Sequence, residues 1–110
     1  MIVVYGIPNC DKCRAASKWF TAHEAEFRFH DVRVDGLDSK QVSDWLDTLG
    51  SDTLLNRRST TWRQLGEAER NSDPAGLILK HPTLLKRPLV DTGNGLVVGY
   101  DESAWQDALA

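Results

Sequence analysis

Cys10 and Cys13 are the only cysteines in the 110-residue chain, and they stand where one hydrophobic pattern gives way to another. Before them, Ile2-Val3-Val4-Tyr5 is a β-rich run ended by Gly6 and Pro8, which predicts a buried strand and a turn. After them, Ala16, Trp19, Phe20 and His23 recur at i, i+3, i+4 and i+7, the spacing of an amphipathic helix that begins at or beside Cys10. The alternating, aromatic stretch Phe27-Arg28-Phe29-His30-Asp31-Val32 predicts a second strand. Strand, helix and strand over so short a distance imply a parallel βαβ unit with a right-handed crossover. The cysteine pair therefore falls on the turn from the first strand into the first helix.

A C-x-x-C pair in a reducing compartment either binds metal or does redox chemistry. Structural zinc needs four ligands, and His23, His30 and His81 supply no second pair at ligand spacing, so no metal site is expected. The alternative of two buried structural thiols is weaker, because position, spacing and element order agree on redox. At a helix N-terminus, unpaired N–H groups and the positive end of the dipole favour a thiolate at Cys10. Lys12 should add to this and Asp11 oppose it. Cys13, three residues on, lies on nearly the same helix face and can attack a mixed disulfide at Cys10.

The rest of the chain is read in the same way. Asp38 with Gln41 resembles a capping box, followed by Val42, Trp45, Leu46 and Leu49 on one face and by Gly50 as terminator. Residues 51–72 are polar and predict short helical turns around a loop. Asp73-Pro74 opens a helix that runs to His81 and stops at Pro82. Leu89-Val90-Asp91 and Leu96-Val97-Val98 flank Thr92-Gly93-Asn94-Gly95, a hairpin pattern, and Asp101 caps a last helix bearing Trp105, Ala108 and Leu109. The order β-α-β, helical insert, β-β-α predicts an α/β domain over residues 1–110: a four-stranded mixed sheet with helices, and a helical insertion at about 37–82 between the second and third strands. Trp19, Trp45 and Trp105 fall on apolar helix faces and are expected in the core, while His23 and His30 read as packing or surface residues.

Thirteen basic against sixteen acidic residues give a net charge of −3, which offers no global reason to bind nucleic acid directly. The longest aliphatic runs, Ile2-Val3-Val4 and Leu77-Ile78-Leu79, are far too short to cross a membrane. No secretory leader is visible, so a cytoplasmic location is expected. Arg87-Pro88 precedes the third strand, and an X-Pro bond adopts the cis form for only about 0.5–1 kcal/mol. If that peptide faces the cysteine loop, Arg87 supplies a cation near Cys10 and a fork for an oxyanion or carboxylate. Asn9 either hydrogen-bonds the loop or serves the turn.

Three motifs carry a resemblance: Tyr5-Gly6-Ile7-Pro8-Asn9-Cys10, Leu54-Leu55-Asn56-Arg57-Arg58-Ser59-Thr60-Thr61-Trp62 and Lys86-Arg87-Pro88-Leu89-Val90. In this order they resemble the glutaredoxin-coupled arsenate reductase family, most closely its Spx-like branch of small bacterial proteins, over essentially the whole chain. The resemblance implies a thioredoxin-like fold, Cys10 as nucleophile, and Arg87 before a cis Pro88 in an anion site to which Asn9 and Arg58 contribute. It implies no bound cofactor, glutathione with glutaredoxin as reductant, and a small thiol or oxyanion as substrate. Arsenate reductases of this type surround the oxyanion with three arginines. Only Arg87 matches directly, Asn56 and Tyr100 standing at the other two places. The resemblance thus leaves three readings: a glutathione-dependent thiol reductase, an arsenate reductase using the same cysteine, and an Spx-like regulator that binds RNA polymerase with the cysteine pair as sensor.

Overall fold

The structure, a computed structural model, describes residues 1–110. In chain order the elements are β1 (Ile2–Gly6), α1 (Asp11–Ala22), β2 (Phe27–Asp31), α2 (Ser39–Leu49), α3 (Ser51–Leu54), α4 (Thr60–Gln64), α5 (Glu67–Arg70) and α6 (Pro74–Lys80). A 3-10 turn (Pro82–Leu84), β3 (Leu89–Asp91), β4 (Leu96–Val98) and α7 (Glu102–Leu109) complete the chain. They group into two units, one formed by Met1–Asp31 with Arg87–Ala110 and the other by Val32–Lys86.

The first unit holds the sheet, in strand order β2-β1-β3-β4. β1 and β2 are parallel, joined by the α1 crossover, whereas β3 runs antiparallel to both β1 and β4. Val4 is paired with Phe29 on one side and Val90 on the other. The β3–β4 hairpin closes where Thr92 N–H donates to Gly95 O (3.0 Å) and Gly93, at φ +87°, donates to Asp91 Oδ1 (2.9 Å). The positive φ is the reason glycine suits that turn. Ala16, Trp19 and Phe20, the face expected of α1, are buried with Ile2, Val4, Val90 and Trp105 in one core. Trp105 is fully buried and packs its ring against Phe20 at 5.1 Å and Trp19 at 5.4 Å. Asp101 caps α7 by accepting from Ala104 N–H, and Glu102 accepts from Trp19 Nε1 at 3.1 Å, tying α7 to α1.

The second unit is helical. Asp38 accepts from Gln41 N–H (3.1 Å) to start α2, whose buried residues are Val42 and Trp45, and Gly50 at φ +80° ends it. α2 packs on α6. α6 is capped by Asp73 and begins at Pro74, as expected, but stops one residue before His81. The polar stretch resolves into α3, α4 and α5, each four or five residues long. Such short helices have too few internal bonds to hold themselves. Here Arg70 secures α4 by donating to Trp62 O and Arg63 O, while Arg57 and Arg70 both lie over the Trp62 ring. Leu55 and Leu85 form an isolated bridge, locked by Asn56 N–H to Leu84 O (2.7 Å) and Lys86 N–H to Leu54 O (2.8 Å).

The core of the first unit closes around one indole. Trp105→Ala should therefore lower unfolding free energy by about 3–5 kcal/mol, the range for deleting a buried aromatic. Urea denaturation followed by circular dichroism measures it, and a midpoint equal to that of the wild type would show that Trp105 is not central to this packing.

Candidate active site

The turn between β1 and α1 is shaped by a close approach. Gly6 ends β1, and a Cβ placed on it would overlap the Cys13 sulfur and lie 3.1 Å from Cys13 Cβ. Only a residue without a side chain lets the strand end this near Cys13, which is completely buried. Pro8 and Asn9 form the exposed turn, and Cys10 N–H donates to Ile7 O at 3.3 Å. Cys10 is the N-cap of α1, with extended backbone (φ −103°, ψ 124°), and its carbonyl accepts from Arg14 N–H at 2.9 Å. Its partly exposed sulfur therefore sits against the open first turn of a twelve-residue helix.

The two thiols are driven apart electrostatically. Burial works against ionisation of Cys10, but it is outweighed by hydrogen bonds from the Cys13 N–H, the Cys13 thiol and the Lys12 N–H, and by the charge of Arg87. Together these hold Cys10 below the ordinary thiol value. Burial pushes the Cys13 thiol up to about 12; a hydrogen bond from Ile7 N–H and the charge of Arg87 offset this only in part, and the neighbouring Cys10 sulfur adds to it. Arg87 is half-buried at the entry to β3, and the Arg87–Pro88 peptide is cis. Pro88 is buried, and its carbonyl accepts from Gly99 N–H at 2.8 Å.

Of the residues singled out by sequence, Cys10, Cys13 and Arg87 are thus within electrostatic reach of one another, with Asn9 and Pro88 adjoining them in the chain. Arg58 belongs to the second unit, exposed in the loop before α4; its N–H donates to Asn56 Oδ1 (3.1 Å) and its carbonyl accepts from Arg63 (2.8 Å). Lys12 acts on Cys10 through its backbone N–H. The Asp11 carboxylate, expected to oppose the thiolate, is paired with Arg14, which also donates to Pro8 O at 3.1 Å. Arg14 was detectable as the i+3 partner of Asp11. Gly6 and Ile7 carry no such signal. Tyr100 donates its hydroxyl to Glu102 at 2.7 Å, which raises its pKa. His23 stacks on Trp19 at 3.8 Å and His30 lies beside Tyr5 at 4.9 Å, both in packing positions.

This asymmetry predicts how the thiols react with pH. A lowered pKa means that the thiolate persists to lower pH, so alkylation of Cys10 by iodoacetamide should follow a midpoint below the free value of about 8.5. Cys13 should stay unmodified through pH 9. Peptide mapping after timed alkylation reads both, and a Cys10 midpoint at or above 8.5 would contradict the arrangement.

Comparison with known proteins places this geometry in a family. The sequence profile of the ArsC family matches residues 5–108. An uncharacterised Haemophilus influenzae protein is 41% identical over 114 residues, covering 100% of both chains. The global transcriptional regulator Spx of Bacillus subtilis is 31% identical over 107 residues, 93% of this chain and 82% of Spx. Among solved structures, the YffB protein matches with a TM-score of 0.93 at 34% identity over 100% of both chains. An arsenate reductase related protein from Brucella melitensis matches with a TM-score of 0.74 at 34% identity, over 96% of this chain and 92% of that one. The fold is thioredoxin-like, and the chain belongs to the ArsC family.

Proposed function

We propose that this protein is a cytoplasmic thiol-dependent reductase coupled to glutathione, acting as one domain over residues 1–110 with the helical insertion at 37–82. Cys10 is the nucleophile and Cys13 the resolving thiol. The observation that carries this reading is the opposite displacement of the two thiols, Cys10 below its ordinary value and Cys13 at about 12. The Cys10 thiolate attacks one sulfur of a disulfide substrate; that S–S bond breaks, its other half leaves as a thiolate and takes a proton from water, and Cys10 carries a mixed disulfide.

The same step changes Cys13. Part of what holds its thiol neutral is the adjacent Cys10 sulfur, through its charge and the hydrogen bond it accepts. Both are lost once Cys10 is in a disulfide, while the charge of Arg87 still favours a Cys13 thiolate. Cys13 then gives its proton to solvent and attacks Cys10, releasing the second half of the substrate and leaving a Cys10–Cys13 disulfide. Two glutathione molecules, directly or through glutaredoxin, supply the electrons that restore the dithiol and become oxidised glutathione. Arg87 with Asn9 and Pro88 forms the substrate-binding side of the site, the guanidinium holding a carboxylate or oxyanion. The chemistry needs no resident cofactor.

The Spx relatives favour a second reading, in which the cysteine pair senses oxidants and the partner is RNA polymerase. Capture of polymerase by the purified chain, with no turnover of any disulfide, would select it. Arsenate reduction by the same cysteine is less well supported, because Asn56 and Tyr100 stand where that chemistry wants arginines, and the Tyr100 hydroxyl is bound to a carboxylate.

Turnover of a glutathione mixed disulfide should disappear in Cys10→Ser. It should fall roughly 10- to 100-fold in kcat/KM in Arg87→Gln, as expected for losing a charge-assisted contact. Arsenate should be reduced feebly or not at all with glutathione and glutaredoxin present. Robust arsenate turnover at micromolar substrate would overturn the preference for organic disulfides.

A further inference from the structure

We propose that the cleft between α1 and the edge strand β2 is a binding site for a small apolar monocarboxylate, an acid carrying one aryl or alkyl group on a short chain. The cleft has a volume of about 310 Å³, at the lower end of the range for small-molecule sites, and is lined by Pro8, Arg14, Ser17, Lys18 and Phe29. All of these belong to the first unit. Arg14, Ser17 and Lys18 stand at i, i+3 and i+4 on α1 and so form one stripe of the helix. Phe29 lies in the middle of β2, the outermost strand on that side of the sheet, and Pro8 belongs to the turn before α1.

The wall of the cleft is almost all carbon, because the rings of Phe29 and Pro8 are joined there by the aliphatic stems of the two basic residues. Both rings are held in place. Phe29 sits in the strand ladder opposite Val4, and its ring tip reaches Gly6: a Cβ placed there would lie 3.5 Å from Phe29 Cζ. Pro8 is tied to the helix by Arg14, whose Nη1 donates to Pro8 O at 3.1 Å. A cleft formed before its ligand arrives lowers the ordering cost of binding. The two cations of the lining are not equivalent. Arg14 is already neutralised, its other terminal nitrogen being paired with the Asp11 carboxylate. Lys18 is exposed, and its ammonium has no ion-pair partner in the structure. The cleft therefore offers an apolar wall and one uncompensated positive charge, and the half-buried Ser17 adds a hydroxyl to the lining. An apolar group can bury against Phe29 and Pro8 while a single carboxylate meets Lys18. A dianion would leave one charge unpaired, and a neutral apolar molecule would leave Lys18 unused. None of these contacts involves the cysteine sulfurs, so the site stands whether or not Cys10 is a reductase thiol.

The test is a titration of the full chain, labelled with nitrogen-15, with phenylpropionate, with its neutral amide phenylpropanamide and with acetate, at constant ionic strength. Saturable shifts of the Arg14, Ser17, Lys18 and Phe29 amides are expected with phenylpropionate. Acetate, which lacks the apolar group, should give none. The neutral amide should bind about fivefold more weakly, the upper end for one charge pair at an exposed mouth. Lys18→Gln should weaken the acid by the same factor and leave the amide unchanged, and Lys18→Arg should keep the affinity for the acid. Because Lys18 is exposed on a helix surface, these variants keep the fold. Shifts that never saturate, equal affinity for acid and amide, or a Lys18→Gln variant that binds the acid as tightly as the wild type would each overturn the proposal. So would shifts of the same amides on diluting the protein alone, which would mean that a second copy of the chain occupies the cleft.

Discussion

The contact between the end of β1 and the Cys13 sulfur governs the chemistry of this protein. Because Gly6 has no side chain, Cys13 can lie against the strand end, fully buried, and its thiol stays protonated far above neutral pH. A protonated Cys13 is what donates a hydrogen bond to Cys10, and that bond is one of those holding Cys10 in the thiolate form. The helix N-terminus supplies further donors and Arg87 a charge, but neither distinguishes one thiol from the other as sharply as burial does. The sheet and α1 build this difference in environment from two chemically identical residues only three positions apart.

In the proposed reaction, the first step prepares the second. An ionised Cys10 suppresses ionisation of Cys13; a Cys10 locked in a mixed disulfide no longer does. In that proposal the order of attack follows from the electrostatics of the two sulfurs. Arg87 acts on both sulfurs in the same direction, so it favours whichever thiolate is formed. That is a different service from binding a substrate anion, and one residue can perform both in succession.

Much of the first unit was legible in the sequence because its signals are local. The spacing of Ala16, Trp19 and Phe20 identifies the buried face of α1, and Asp38, Asp73 and Asp101 mark helix starts through bonds spanning only three residues. The cysteine pair announces itself by type and place. What escaped is non-local. Nothing in the residues around Gly6 says that a sulfur on the following helix will press against it. The bounds of α3, α4 and α5 depend on Arg57 and Arg70 reaching Trp62 and on the Leu55–Leu85 bridge, and such short segments offer no periodicity to read. Lys86 joins Arg57 around one cleft through that same bridge, a neighbourhood invisible in linear order. Counted residue by residue, the Asp11 charge opposes the thiolate, whereas its pairing with Arg14 spends that charge locally.

The most direct test of the division of labour between the two thiols is intact-protein mass spectrometry after exposure to oxidised glutathione. The account predicts an internal Cys10–Cys13 disulfide and no lasting adduct in the wild type, a stable glutathione adduct on Cys10 in Cys13→Ser, and almost none in Cys10→Ser. Persistent glutathionylation of the wild type without an internal disulfide would contradict it, leaving Cys13 a packing residue and Cys10 to act alone.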